Sequence, residues 1–206
     1  MVHIAEPQRR RRRYSSRLRK EQAEQTRERI LEAVIRTMAR GVAELSIPAV
    51  AREAGVSVPT VYRHFATKRD LIAALGPYAA AKAQLMPDAP LETLDQLDAF
   101  VRLVFERHDH LDPVLRAAMT SELGNEVRRA GMPDRRGATR RFVERAVPEL
   151  SGDDTERMTD TLVILLSSAT SRAFRDYLGF DAAQAADHVN ATVHWMIEGA
   201  RATKGS

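Results

Sequence analysis

Residues 45–71 read LSIPAVAREAGVSVPTVYRHFATKRDL, an order that predicts three helices and two tight joints. Ser46 offers an N-cap hydroxyl and Pro48 falls in a first turn, where its missing N–H costs nothing, so the first helix spans Ile47 to Ala54. Gly55 can take positive φ and ends it. Ser57 caps a second helix, Val58 to Phe65, again with a proline, Pro59, in its first turn. Thr67 caps a third, and Asp70 three residues later completes a Thr-x-x-Asp capping box. Two short helices joined at a glycine, followed by a capped longer helix, form a helix-turn-helix pattern.

The second helix has two faces. Val58, Val61 and Phe65 fall at i, i+3 and i+7 and can pack on neighbouring helices. Pro59, Thr60, Tyr62, Arg63 and His64 are left pointing outward or sideways, with no acid among them. A hydroxyl, a phenol, a guanidinium and an imidazole suit phosphate oxygens and base edges, and the apolar atoms suit thymine methyls. Lys68 stands at the next helix N-terminus, where backbone N–H groups already favour a phosphate.

The run L-S-x-x-x-V-A-x-x-A-G-V-S-x-x-T-V-Y-x-H-F-x-x-K-x-x-L resembles the N-terminal DNA-binding domain of the TetR family of bacterial transcriptional repressors. The likeness covers about the first third of the chain; the remainder is similar to the family in length and helical pattern. It implies Ser57, Pro59, Thr60, Tyr62 and His64 as recognition-helix contacts and Lys68 as a phosphate anchor. It further implies a homodimeric repressor on a near-palindromic operator of double-stranded DNA, modulated by a small-molecule ligand held in a C-terminal body. The chain departs from the family at Ile47-Pro48, where a polar or basic residue often reaches the DNA.

Charge is distributed to match. Residues 1–40 carry net +7, residues 41–75 net +1 and residues 76–206 net −4. The positive excess therefore sits beside the helix-turn-helix, as a polyanion-binding module joined to a different kind of body requires. There is no cysteine, which excludes disulfides and thiolate metal sites and fits a reducing cytoplasm. The apolar run Leu162 to Leu166 is far too short to span a bilayer, so the expectation is a soluble, cytoplasmic protein without membrane partners.

Working outward, Arg9, Arg10, Arg11, Arg12 and Arg13 repel one another with nothing apolar to fold them, so residues 1–20 read as a disordered basic arm lying along DNA phosphates. Glu21 to Arg40 reads as a helix on the recurrence of Ile30, Leu31, Val34, Ile35 and Met38. It closes a DNA-binding domain at 21–66. From 67 onward the reading is an all-α ligand-binding and dimerisation domain. Its first helix, opened by Thr67, is expected to weaken, kink or end at Gly76-Pro77, and helices follow at about 91–109, 112–124, 134–147, 153–179 and 181–202.

In the last two of these, Leu162, Leu165, Leu166, Ala169, Val189, Val193, Met196 and Ile197 read as the surface for a second copy of the chain, because the 162–166 run is apolar all round. Phe100, Val104, Phe105, Met119, Leu123, Phe142, Phe174, Tyr177 and Trp195 read as the lining of an apolar ligand cavity. The arginines at 128, 129, 135, 136, 140 and 141 form a basic cluster that suits an anionic ligand or a solvated face. His108 and His110, two apart on a helix, point away from each other, so no metal site is read there, and no cofactor is expected. No G-x-S-x-G, HExxH or phosphate-binding glycine loop is present, which argues against the rival reading of a small helical enzyme. A ligand-independent architectural DNA binder is the other alternative.

Overall fold

A computed structural model describes residues 6–41, 45–85 and 90–203, and among these all regular structure is helical. The helix-turn-helix forms over the expected residues, with side-chain caps on its second helix and on the helix that follows, while Ser46 makes no side-chain cap hydrogen bond to its first. α2 (Ile47–Ala54) stops at Gly55, which takes φ 64° and ψ 39°. α3 (Val58–His64) begins at Ser57, whose side chain accepts from the Thr60 amide. α4 (Lys68–Lys82) begins with both halves of the Thr67/Asp70 capping box and does not end at Pro77, which lies inside it.

α1 (Glu6–Ala39) is longer than the sequence predicts. The backbone is helical from Glu6, so residues 6–20 are a continuation of the helix rather than an unstructured arm. Arginine, lysine, glutamine and glutamate are good helix formers, and elongating a helix already nucleated downstream is far easier than starting one. The Arg17–Glu21 pair, 3.3 Å apart at i,i+4, adds to this. Arg9 to Arg13 lie in this extension; their side chains are outside what the structure describes.

The body comprises α5 (Leu94–Asp109), α6 (Pro113–Thr120), α7 (Glu122–Ala130), α8 (Met132–Ala146), α9 (Gly152–Leu165), α10 (Ser168–Leu178) and α11 (Ala182–Ala202). Two helices predicted as single rods are each broken by a serine. Ser121 donates to the Ala118 carbonyl (2.7 Å) and accepts from the Gly124 amide (3.1 Å), ending α6 and capping α7. Ser167 caps α10 through the Thr170 amide, and the Thr170 hydroxyl reaches back to the Ile164 carbonyl at 2.6 Å.

Two hydrophobic cores result. The first joins α1–α4 to α6 and α7, with Leu31, Val34, Val50, Val61, Leu71, Leu75, Leu115 and Leu123 among its members. The second joins α5, α8, α9 and α11 through residues such as Val101, Phe105, Val143, Leu162, Val193 and Ile197. No helix among the described residues is long and apolar enough to cross a membrane.

Candidate nucleic-acid interface

α3 is held from below by Val61 and Phe65, 1% and 3% exposed, with Val58 packed against the same core. That fixes which residues face out. Ser57, Pro59, Tyr62, Arg63 and Lys68 are exposed, and Thr60 and His64 are half-buried on the same short segment. Ser57 and Thr60 hydroxyls lie 2.9 Å apart, so each holds the other's rotamer at the start of the helix. Arg63 and Lys68 are in no ion pair among the described residues, which leaves both charges for a polyanion. Lys68 stands at the first position of α4, whose N-terminal amides and dipole favour phosphate.

His64 resists a further proton. Burial, then the neighbouring Arg63 and Arg27 guanidinium groups, hold the His64 imidazole below its ordinary range. Arg27 itself lies over the Phe65 ring, 5.2 Å from its centre.

α1 braces the motif with contacts that the sequence pattern does not reveal. Arg29 donates to the carbonyls of Ala54 (2.7 Å) and Gly55 (3.3 Å), clamping the turn between α2 and α3. Arg36 and Arg40 both reach Glu53, at 2.7 and 2.6 Å, and hold its carboxyl below the usual range. Glu32 accepts from Lys82 (2.6 Å) and Tyr78 (3.3 Å), tying α1 to the end of α4. Burial, with Glu32 beside it, pushes the Tyr78 phenol up to about 12. An arginine immediately before the buried stripe of α1 is the available signal for Arg29, but its target lies 25 residues away.

The residues assigned to a ligand cavity do not gather in one place. Val104, Phe105 and Phe142 are buried in the second core, with Phe100 and Phe174 packed on it; Phe174 also stacks on Phe180 at 5.8 Å. Met119 and Leu123 belong to the first core instead. Tyr177 and Trp195 are 85% and 70% exposed, because each lies on the outer side of its helix. Of the residues assigned to a subunit interface, Leu162, Val189, Val193 and Ile197 are sealed inside the chain's own second core, while Ile164 of the same apolar run is 61% exposed. Leu165, Leu166 and Met196 are half-buried and Ala169 is exposed.

The basic cluster divides. Arg136 pairs with Glu156 and Asp160, and Arg140 with Glu144 and Glu156, bridging α8 to α9. Near the end of α5, Asp112 caps α6, Asp109 pairs with Arg175, and the ring N–H of His110 donates to the Glu106 carbonyl.

The family model for bacterial regulatory proteins of the tetR family matches residues 30–75, from the buried stripe of α1 to the middle of α4. By sequence the chain matches no curated protein. By structure it is similar to a protein of Pseudomonas aeruginosa PAO1 assigned as a transcriptional regulator, with TM-score 0.63 and 21% identity over 87% of this chain and 94% of that one. It is also similar to a TetR-like transcriptional regulator from Rhodococcus sp. RHA1, with TM-score 0.52 and 19% identity over 84% and 96%. With an outward, acid-free α3 seated on it, the helix-turn-helix at residues 30–75 is of the kind found in bacterial regulatory proteins of the tetR family, and the chain as a whole shares the fold of the two regulators.

Proposed function

We propose that the chain is a homodimeric repressor that occupies a near-palindromic operator and is modulated by a small-molecule ligand bound to its helical body. The observation that carries the reading is the face of α3: Pro59, Tyr62 and Arg63 exposed, unopposed by acid, and anchored by buried Val61 and Phe65. Ser57, Thr60, Tyr62, Arg63 and His64 then meet base edges and backbone in the major groove, and Lys68 meets a phosphate. Ile164, Tyr177, Leu178 and Trp195, 59–85% exposed on α9, α10 and α11, support a second copy packing on these last helices. Pairing the subunits turns one recognition helix into two, spaced for successive major grooves roughly 34–36 Å apart. Repression follows from occupancy in the cytoplasm, with no catalytic step, and a ligand that prefers one subunit arrangement shifts DNA affinity by linkage.

The test is selection of binding sites from random duplex DNA, with the winner titrated across a salt series. The expected winner is near-palindromic and bound on the order of 10³-fold or more tighter than bulk DNA. No enriched site, with affinity that simply fades as salt rises, breaks the reading in favour of an architectural DNA binder.

A further inference from the structure

A cleft opens where the C-terminal end of α5 meets α6, α7 and the first turns of α10. Its free volume of about 30 Å³ has room for one or two waters, the size of a ligand's headgroup rather than of a whole ligand. Four arginines line it: Arg116, Arg128, Arg172 and Arg175.

Three of these have partners. Arg116 donates to the carbonyls of Asp109 (2.7 Å) and Leu111 (3.2 Å), Arg128 to the Met119 carbonyl and the Asn125 side chain, and Arg175 to the Asp109 carboxylate. Arg172 has neither an acid nor a hydrogen-bond acceptor among the described residues. It is half-buried and close enough to Arg128 that the two repel, on top of the cost of burying Arg128.

His108 stands on the same wall. Its Nδ1–H donates to the Val104 carbonyl at 2.9 Å, while its Nε2 is sealed from solvent with no partner among the described residues. The hydroxyl-bearing residues Ser168 and Ser171 come from the first turn of α10, an 11-residue helix whose N-terminal dipole end adds further positive potential. The one acid named at this cleft, Asp109, is already held by Arg175.

Arg172 and Arg128, with no acid partner beside a small cleft, form an incomplete constellation that an oxyanion completes, and the His108 Nε2, an acceptor while Nδ1 carries the proton, is satisfied by the hydroxyl of a protonated oxyanion or by a bridging water. We propose that this cleft takes the anionic headgroup, carboxylate or phosphate, of the chain's effector, with Arg172 as its principal charge partner and Arg128 and Arg175 flanking it. The proposal rests on the reading of the chain as a ligand-responsive regulator. The position also connects the headgroup to DNA. Val127 on α7 lies against Gly76 of α4, where a Cβ would stand 3.5 Å from its Cγ1, and α4 begins at Lys68. An anion drawn between α7 and α10 therefore acts on the helix whose other end faces phosphate.

The test is thermal melting of the full chain titrated with inorganic phosphate, acetate and octanoate against chloride at constant ionic strength, comparing wild type with Arg172→Gln, Arg172→Lys and the exposed control Arg129→Gln. At least one oxyanion is expected to raise the wild-type Tm saturably. Arg172→Gln, relieved of a repulsion, melts at least as high as wild type without anion but binds the anion at least tenfold more weakly. Arg172→Lys keeps part of the response, and Arg129→Gln keeps all of it. Phosphate as the stronger ligand assigns a phosphorylated effector; octanoate stronger than acetate assigns an acyl carboxylate. No response beyond chloride, an equal response in Arg172→Gln, or an equal loss in Arg129→Gln overturns the proposal. Binding to the selected duplex separates the two levels. Specific duplex binding without an anion response leaves the regulator and removes the cleft, whereas no specific duplex binding removes the regulator and the effector role with it.

Discussion

In the helix-turn-helix most shaping interactions are local. Ser57 acts on Thr60, Thr67 and Asp70 act on each other, and Gly55 turns the chain by its own φ of 64°. In the helical body the deciding pairs join distant residues: Arg140 to Glu156 across 16 positions, Arg175 to Asp109 across 66, and His194 to Asp98, 3.0 Å apart, across 96. The first region leaves its outward cations Arg63 and Lys68 unpaired and so shows in its own sequence what it meets. The second spends most of its charge on itself, and only a leftover such as Arg172 points to a ligand.

The largest effect that tests this contrast is in the second core. Phe105 is fully buried, and Phe105→Ala should lower stability by about 3–5 kcal/mol in urea unfolding. DNA affinity of the variant, measured while it is still folded, should change little. A parallel fall in affinity would mean that the two cores do not act separately.

The α6–α7 corner comes next. A Cβ at Gly124 would stand 2.6 Å from the carbonyl oxygens of both Ala118 and Met119. Gly124→Ala should therefore cost about 1–3 kcal/mol through a forced backbone shift. Because α6 and α7 share the first core, DNA affinity should fall with it; unchanged affinity would detach this corner from the DNA module.

On the exposed face, Tyr62→Ala should leave stability within about 0.5 kcal/mol while costing about 1–3 kcal/mol of specific binding, read by fluorescence anisotropy on the selected duplex. Lys68→Ala should weaken all duplexes alike and reduce the salt slope by about one. If the two variants behave identically across sequences, α3 carries no more information than a phosphate contact does.

The smallest effect is titration of His64. Its pKa is low in the free protein, through burial and then Arg63 and Arg27, and a nearby phosphate would raise it. A group that gains proton affinity on binding strengthens the complex at low pH and loses that gain as pH rises through its bound-state pKa. Specific affinity should thus increase as pH falls from 7 toward 6, and His64→Gln should abolish the trend. An affinity that decreases over the same range would place His64 away from the DNA.

The contrast also explains what was legible beforehand. Ser57 and Thr67 announce α3 and α4 because a cap acts within its own turn, whereas Ser46 precedes α2 without a side-chain cap hydrogen bond, and Val58, Val61 and Phe65 fix the inward face by spacing alone. The breaks at Ser121 and Ser167 were readable in principle from Ser121-Glu-Leu-Gly124 and Ser167-Ser-Ala-Thr170, yet the apolar periodicity on either side continues as if unbroken. The helical start of α1 was obscured because a run of arginines suggests repulsion, while the local cost is offset by propensity and by a helix already formed downstream. Leu162 and Val193 were misplaced because an apolar stripe shows that a residue needs cover without showing whether the cover comes from the same chain. Nothing within a few residues of Arg172 shows that its guanidinium shares a cleft with His108 and Arg128, since that meeting depends on the packing of four helices.

The exposed indole on α11 has a practical consequence. Trp195 is the sole tryptophan of the chain and is 70% open to solvent in a single subunit. Indole emission moves to shorter wavelength when water around the ring is replaced by protein. Intrinsic fluorescence therefore reports from one known position, without a label. A blue shift that grows with protein concentration would measure subunit pairing directly, and a spectrum unmoved by dilution would place the contact elsewhere.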